Sequence, residues 1–381
     1  MTITSFKLGL VAAFAAVLGA SSALAGGFSR GDANTDILFQ PGTANINAGF
    51  IFVSPQVSYD TIKGANSSDQ RFTGDYWIPN LAVGARFADP LGCALTYTQP
   101  FGGSTNYGAA AKAAQGINNT TSKEFVSNEY GLTCDVRLDA GKGRFHLLGG
   151  VFLQDFTYTA ATSFGTLKLN DSGAFGYRIG AAYEIPEYAL RASVLYRSEV
   201  KQTTGGTFTP TPLGVGALGA LGVTGVTAAT GSGTLPQSVK VSLQSGVAPG
   251  WLVYGSVTWT NWSVLQTLNY GFGAVKQTDK YYFKDGWTIQ GGVGHQFTDD
   301  IAGTVSLTWD KGVGSTAFIS TDTWTIGTGA EVKLGPGKLQ VGAGATYITG
   351  GSQTAAGGAS FDATTKGSWA YSLGAGYKVS F

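Results

Sequence analysis

The last thirteen residues, WAYSLGAGYKVSF at 369–381, decide the fold. Every second residue is apolar, from Trp369 through Leu373 to the terminal Phe381, and the residues between them are mostly small or polar. Because successive side chains of a β-strand point to opposite faces, this segment has one apolar and one polar face. Aromatic residues at both ends of the apolar face are typical of membrane-spanning strands. We therefore predict the closing strand of a transmembrane β-barrel.

The other end of the chain predicts export. Residues 1–25 combine Lys7, an apolar run at 8–18 and the triplet Ala23-Leu24-Ala25, which is the pattern of a cleaved signal peptide. We expect Gly26 to be the first mature residue. An uncleaved N-terminal anchor is the alternative.

Composition narrows the class of protein. Charged residues make up 12% of the chain, against about a quarter in an average soluble protein. Beyond residue 25 the chain has no run of eighteen apolar residues, so its apolar residues do not form membrane-spanning helices. The net charge of +1 argues against a nucleic-acid partner.

Turns and loops predict the number of strands. Six tight turns rich in Gly, Pro or Asp lie at 89–92, 139–143, 185–187, 248–250, 298–300 and 335–337. Seven longer polar or glycine-rich stretches alternate with them, at about 62–71, 104–122, 163–170, 208–235, 270–280, 314–320 and 351–366. Short periplasmic turns and long extracellular loops alternate in this way in outer-membrane barrels. Thirteen connections predict fourteen antiparallel strands over 46–381, without a second domain.

The charged residues indicate which face of each strand meets lipid. Between residues 190 and 201, Arg197 and Lys201 fall on the face opposite the apolar residues, and the charges within 129–138 and 324–334 do the same. A charge facing lipid at the bilayer midplane costs about 2–4 kcal/mol, so we expect the charged face to line the lumen. A soluble β-sandwich would place the same charges outside.

Four stretches resemble one family of membrane proteins. They are YWIPN at 76–80, LYRSEVK at 195–201, WTNWS at 259–263 and YFKDG at 282–286. In this order they resemble the FadL-type outer-membrane transporters of long-chain fatty acids and aromatic hydrocarbons. The resemblance implies a fourteen-stranded barrel, an N-terminal hatch (here 26–45) that plugs the lumen, an apolar ligand pocket, and lateral exit through a kinked strand.

The resemblance also implies ligand-binding residues. The family has a Phe as third mature residue, which here is Phe28, and it uses basic residues near 280 for the ligand head group. Lys280 lies beside aromatic residues including Phe283, and Arg197 and Lys201 are further candidates. An ion pair in the lumen is the alternative role for each cation.

A kink is predicted in the third strand, at TQPFGG, residues 98–103. Proline cannot donate to a strand ladder and glycine tolerates bulges, so pairing should be lost at Pro100, Phe101, Gly102 and Gly103. The resemblance places the lateral opening here. Alternatively, Pro100 ends the strand at the extracellular rim.

Loop 208–235 is unusually apolar for an extracellular loop. It carries Leu213, Leu218 and Leu221 among Gly and Ala and has no charged residue. An exposed apolar loop either captures an apolar ligand or packs on itself as a helical cap. The family collects its ligand in a groove between its third and fourth loops. The third loop here, about 163–170, is short, so the sequence does not decide whether such a groove exists.

The remaining chemistry is sparse. Cys93 and Cys134 fall on neighbouring predicted strands, so a disulfide is a candidate in an oxidising compartment. The sequence does not fix the register between these two strands, which decides whether the two cysteines lie opposite each other. His146 and His295 are the two histidines, and no spacing predicts a catalytic site, a metal site or a cofactor.

We therefore expect a multi-pass monomer in the outer membrane of a Gram-negative bacterium, in contact with lipid and lipopolysaccharide. Its expected activity is passive uptake of hydrophobic small molecules, and not an enzymatic one. A general porin for hydrophilic solutes is the first alternative, and a surface adhesin that uses loop 208–235 is the second. Fatty acids, aromatic hydrocarbons and acyl signalling molecules all fit an apolar pocket.

Overall fold

The structure is a computed structural model that describes residues 26–381, so the predicted signal peptide lies outside the described residues. Fourteen antiparallel strands form a closed barrel. They are β1 Ala44–Pro55, β2 Tyr76–Ala88, β3 Leu91–Thr98 with Gly102–Asn106, β4 Thr120–Ala140, β5 Gly143–Thr162, β6 Gly165–Ile185, β7 Leu190–Arg197 with Val200–Pro210, β8 Thr227–Leu235 with Ser238–Ala248, β9 Trp251–Thr260 with Thr267–Phe272, β10 Val275–Lys280 with Gly286–Gln296, β11 Ile301–Asp310, β12 Thr323–Leu334, β13 Gly337–Ile348 and β14 Ser368–Ser380.

The C-terminal segment closes the barrel, as its alternation predicts. Strand β14 pairs with β1 from Asn45 opposite Ser380 to Pro55 opposite Ala370, and β1 pairs with β2 on its other edge. The side chains of Trp369 and Leu373 are exposed on the outer face. The alternation therefore separates a lipid face from a lumenal face.

All six tight turns join strands where the sequence predicts them. Two predicted loops are wrong. Most of 163–170 belongs to the β5–β6 hairpin, because β6 already begins at Gly165. Stretch 270–280 forms a hairpin between β9 and β10 rather than an open loop. Strand β1 begins at Ala44, so the segment preceding the barrel ends at 43, two residues earlier than the predicted boundary.

The long loops contain their own secondary structure. A small sheet joins Tyr59–Ile62, Ala65–Asn66, Gly351–Gln353 and Ala363–Thr365. Helices α1 and α2 span Ala109–Gln115 and Pro212–Leu218, and 3-10 turns span Thr35–Phe39, Pro186–Tyr188, Gly219–Leu221 and Trp262–Val264. None of the helices within residues 26–381 is long and apolar enough to cross a bilayer.

Most predicted charges face the lumen. In β4, Glu129 is only 2% exposed while its neighbour Tyr130 is half exposed on the outer face. Strand β7 breaks the pattern, because its interruption after Arg197 adds one residue to the alternation. Val200 and Gln202 are buried on the lumenal side, so Lys201 between them points outward. The predicted lumenal position of Lys201 is therefore wrong.

Candidate functional site

Residues 26–43, which we call the N-terminal segment, lie inside the barrel. Its 3-10 turn buries Ile37 and Leu38 against lumenal side chains of β2, β3 and β5. The backbone N–H of Gly26 donates to Asp310 of β11. These strands lie around much of the barrel, so the segment crosses the lumen.

Two ion pairs tie the same segment to the other side of the barrel. Asp36 Oδ1 lies 3.3 Å from Arg191 Nη2 of β7, and Asp32 Oδ2 lies 3.0 Å from Lys240 Nζ of β8. Polar backbone without regular structure is tolerated at membrane depth only where protein or lumenal water surrounds it. The N-terminal segment meets that condition through its contacts with the wall.

Phe28 is at the centre of an aromatic cluster. Its ring centroid lies 4.8–5.9 Å from five others, those of Phe125, Trp262, Tyr281, Phe283 and Phe318. A small apolar cavity of about 40 Å³ adjoins this cluster, lined in part by Phe156, Leu169 and Leu265. The structure thus brings the predicted residues Phe28 and Phe283 together at an apolar cavity.

Sequence reasoning missed the other members of the cluster. Phe318 comes from the β11–β12 loop, where no periodicity marks it. Trp262 is fully buried and lies in one of the four resembling stretches, which was the signal available for it. Phe125 alternates with outward-facing residues of β4 and could have been assigned to the lumen from its parity.

An ion pair contacts Tyr158, which lines the cavity. Lys123 Nζ of β4 lies 2.7 Å from Asp279 Oδ2 of β10, and the Tyr158 hydroxyl donates to the same oxygen at 3.1 Å. Lys280, predicted as a head-group ligand, is the next residue along β10 and therefore points to the opposite, exposed side. Asp279, rather than Lys280, faces the aromatic cluster.

Arg197 faces the lumen, and its guanidinium is already engaged in an ion pair. Its Nη2 lies 2.7 Å from Glu129 Oε2, and Arg178 contacts the other oxygen of the same carboxylate. The Arg197 guanidinium also lies over the rings of Phe152 and Phe101, at 4.6 and 5.1 Å. This arrangement is the lumenal ion pair that we considered as the alternative role.

A second, polar cavity of about 360 Å³ adjoins the N-terminal segment. Its charged lining comes from both the segment and the wall and comprises Arg30, Asp32, Asp36, Glu129, Arg178, Arg191, Arg197 and Lys240. The lumen is therefore divided into an apolar cavity beside Phe28 and a polar one.

Pairing between β2 and β3 is interrupted. It extends only as far as Asn80 opposite Thr98, and the second segment of β3 pairs with β4 alone among the described strands. Beyond the interruption an isolated bridge joins Thr73 to Thr105. No ladder pair joins residues 76–79 of β2, which pair with β1, to residues 99–103 next to them. We call this interruption between the two strands the β2–β3 gap.

The position of the gap agrees with the predicted kink, with one refinement. Pro100 and Phe101 lie between the two segments of β3, whereas Gly102 and Gly103 begin the second segment and pair with Val126 and Phe125 of β4. The strand therefore continues beyond Pro100, so this proline does not end it at the rim.

The N-terminal segment occupies the gap from the lumenal side. The backbone N–H groups of Arg30 and Gly31 donate to the carbonyl oxygens of Pro100 and Gln99, at 2.8 and 3.1 Å, and Gly102 N–H donates to Phe28 O at 3.0 Å. A side chain on Gly31 would collide with Ile78 of β2 at 2.6 Å. The segment thus satisfies backbone groups of β3 that have no partner on β2.

A disulfide joins β3 to β4 on the short-turn side of the kink. Cys93 and Cys134 are directly opposite in the ladder, and their Sγ atoms are 2.08 Å apart. The bond fixes the first segment of β3 to the wall, whereas the gap affects only the part beyond Thr98.

Loop 208–235 is partly packed on the barrel and partly exposed. Strands β7 and β8 extend into it, and the rest forms α2 and a 3-10 turn. Leu218 packs on the buried apolar cluster, while Leu213 and Leu221 stay 49% and 45% exposed. Thr211 N–H donates to Phe164 O of the β5–β6 turn at 2.9 Å, so the third and fourth loops touch.

Both histidines have structural surroundings. The ring of His146 is buried between Asp135, whose Oδ2 lies 2.8 Å from Nδ1, and Glu184. His295 stacks on Trp251 with centroids 4.2 Å apart. Among the described residues, no group of three His, Cys, Asp or Glu side chains has the geometry of a metal site.

Comparison with known proteins gives the same family as the four stretches. The family model for outer membrane protein transport proteins (OMPP1/FadL/TodX) matches residues 15–381. The long-chain fatty acid transport protein of Salmonella typhi is 26% identical over 323 residues, which cover 71% of each chain. That of Escherichia coli (strain K12) is 25% identical over 331 residues, covering 71% of this chain and 72% of its own.

Solved structures share the fold at low sequence identity. A Pseudomonas aeruginosa FadL homologue has a TM-score of 0.76 at 13% identity and covers 96% of this chain and 98% of its own. The Pseudomonas putida toluene transporter TodX has a TM-score of 0.61 at 13% identity and covers all of both chains. The chain therefore belongs to the OMPP1/FadL/TodX family of outer-membrane transport proteins.

Proposed function

We propose that this protein lets hydrophobic small molecules diffuse passively across the outer membrane of a Gram-negative bacterium. The N-terminal segment acts as the plug, the cavity beside Phe28 receives the ligand, and the β2–β3 gap is the lateral exit. The names of the relatives, which transport long-chain fatty acids and toluene, support a hydrophobic cargo. Catalysis has no part in this proposal.

One observation carries the proposal. The short stretch 28–31 supplies both the ring at the apolar cavity and the backbone groups that bond to the gap. A ligand that displaces Phe28 therefore also disturbs the hydrogen bonds at Gln99 and Pro100. Binding in the cavity and opening of the wall are therefore coupled, because the same four residues, 28–31, take part in both.

The lateral route follows from the solvent preferences of the cargo. An apolar solute gains about 25 cal/mol for each Å² that it keeps out of water, so it is more stable in the bilayer than in the polar cavity. That cavity carries eight charged side chains of both signs. We propose that the protein acts as a monomer, with lipid and lipopolysaccharide around its apolar outer face.

An uptake experiment separates this function from that of a porin. Gram-negative cells lacking their own hydrophobic-compound transporter would express this chain or an empty vector, and uptake of radiolabelled oleic acid, toluene and sucrose would be measured. We expect uptake of oleic acid or toluene to exceed the control severalfold, with sucrose unchanged. Sucrose entry without hydrophobic uptake would instead support the porin, which the family assignment does not favour.

A further inference from the structure

Every cation of the polar cavity except one forms an ion pair, although two of them share a single carboxylate. Arg178 and Arg197 share Glu129, Arg191 pairs with Asp36, and Lys240 pairs with Asp32. Arg30 also lines this cavity. Within residues 26–381, no carboxylate oxygen lies within 4.0 Å of a nitrogen of the Arg30 side chain.

The Arg30 side chain is buried although its charge is unmatched. It is 9% exposed, and its Nε has no hydrogen-bond partner in the described part of the chain. Its Cζ lies 4.2 Å from the ring centroid of Tyr76, and burial lowers its pKa, although arginine stays protonated in proteins. Glu124 acts on it through space without forming an ion pair. Burying a charge without an acidic partner is costly, so this position requires an explanation.

The guanidinium lies at the β2–β3 gap. Tyr76 belongs to the β2 side of the gap, and a Cβ atom on Gly102, on the β3 side, would lie only 2.4 Å from Arg30 Cζ. Arg30 also follows Phe28 by two residues. A ligand whose tail occupies the apolar cavity and which leaves through the gap therefore passes the guanidinium.

The other cations near this route are not available in the same way. Lys123 borders the apolar cavity but pairs with Asp279, and Lys280 faces away. A guanidinium binds a carboxylate through two parallel N–H···O bonds, and Arg30 retains unused donor capacity at Nε. The geometry fits an amphipathic acid with its tail toward Phe28 and its head group at Arg30.

We propose that Arg30 is a specificity-determining residue that binds the carboxylate of an amphipathic acid at the β2–β3 gap. The protein then prefers fatty-acid anions to neutral hydrocarbons of the same length. This inference rests on the proposed function, because it assumes that the ligand occupies the cavity beside Phe28.

Binding of oleate and of methyl oleate tests the proposal, since the two ligands share a chain and differ in charge. Equilibrium dialysis at pH 8 would compare the full-length protein with Arg30→Gln and Arg30→Lys. We expect Arg30→Gln to weaken oleate binding about tenfold or more, the usual effect of losing a charged hydrogen bond. The Kd for methyl oleate should stay within about twofold of its wild-type value, because this ligand has no carboxylate for the guanidinium to bind. Arg30→Lys should recover part of the loss.

Arg71→Gln is the matched control, because Arg71 lies in a loop and pairs with Asp75 at an exposed site. Arg30 is outside the barrel strands, so circular dichroism should show an intact barrel in every variant. Equal loss of both ligands in Arg30→Gln, or no loss of oleate, would overturn the role of Arg30 alone. A wild-type protein that binds neither ligand would overturn the proposed function and this inference with it.

Discussion

At the residue scale, Phe28 is the side chain on which the plug and the cavity both depend. Five rings surround it at centroid distances of 4.8–5.9 Å. Phe28→Ala leaves a void among them, and because Phe28 is only partly buried its truncation costs less than the about 3–5 kcal/mol of a fully buried Phe. We expect a loosened plug, measured as a rise in steady conductance of the barrel in a planar bilayer.

Phe87→Ala is the control for that change, because Phe87 lies on β2 and is 70% exposed. It should leave conductance at its wild-type value. If Phe28→Ala behaves like the control, the ring does not hold the plug in place.

Gly102 gives a second prediction at this scale. Its missing Cβ leaves the space that the Arg30 guanidinium fills, and a Cβ there would lie 2.4 Å from Arg30 Cζ. Gly102→Val should therefore push stretch 28–31 out of the gap and make the N-terminal segment more accessible to protease. Gly149→Val on β5 is the matched control, since nothing lies within 4 Å of its added Cβ. Equal protease resistance in both variants would contradict the prediction.

At the element scale, the disulfide should stabilise the wall without taking part in transport. It closes a separation of 41 residues between β3 and β4, and a disulfide of this kind typically contributes about 2–4 kcal/mol. We expect the double variant Cys93→Ser, Cys134→Ser to unfold at lower urea concentration, followed by tryptophan fluorescence. Its uptake of oleic acid should equal that of the wild type. Reduced uptake in a folded double variant would mean that the first segment of β3, Leu91–Thr98, moves during transport.

The apolar loop gives the next prediction. Leu213 and Leu221 remain exposed at the long-loop end of the barrel, where an apolar ligand would first make contact. Replacing residues 212–226 with a Gly-Ser linker should slow uptake of oleic acid several times while leaving conductance unchanged. Unchanged uptake would instead favour the adhesin interpretation of this loop. Replacing residues 64–66, which are exposed in the β1–β2 loop, is the control.

Strands could be predicted from sequence because lipid enforces strict alternation. The six tight turns and the closing strand depend on local residue types, so they can be predicted without knowledge of the tertiary structure. The face of Lys201 is not, because the irregularity after Arg197 shifts the alternation by one residue and moves every later side chain to the other face. The same one-residue sensitivity separates Asp279, which faces the cluster, from Lys280, which does not.

The site itself was only partly predictable. Phe28 and the kink at Pro100 have sequence signals. For Phe28 the signal is the Phe that the resembling family has as third mature residue, and for Pro100 it is a residue that cannot donate to the ladder. Phe318 and the Arg30 guanidinium have none, because their positions depend on how a loop and the N-terminal segment fold into the lumen. Tertiary contacts determine where irregular segments lie, and the periodicity of the sequence gives no information on those contacts.

At the scale of the whole molecule, the plug is held by contacts that a ligand can replace. The Asp32–Lys240 pair is largely exposed to the lumen, and such pairs contribute about 0–1 kcal/mol each. The apolar contacts of Ile37 and Leu38 and the ring cluster of Phe28 also hold the segment. A hydrophobic ligand competes directly with the ring cluster, whereas a hydrophilic solute does not. In the proposed function, selectivity for apolar cargo follows from which contacts the plug uses.

The central claim is that the lumen is plugged and that the plug is the N-terminal segment. Planar-bilayer conductance of the intact barrel, beside a variant from which residues 26–43 are deleted, tests it most directly. The account predicts a nearly silent intact protein and a deletion variant with large, steady conductance through the polar cavity. Large, steady conductance from the intact protein would contradict it, because the lumen would then be open and the barrel would act as a general porin.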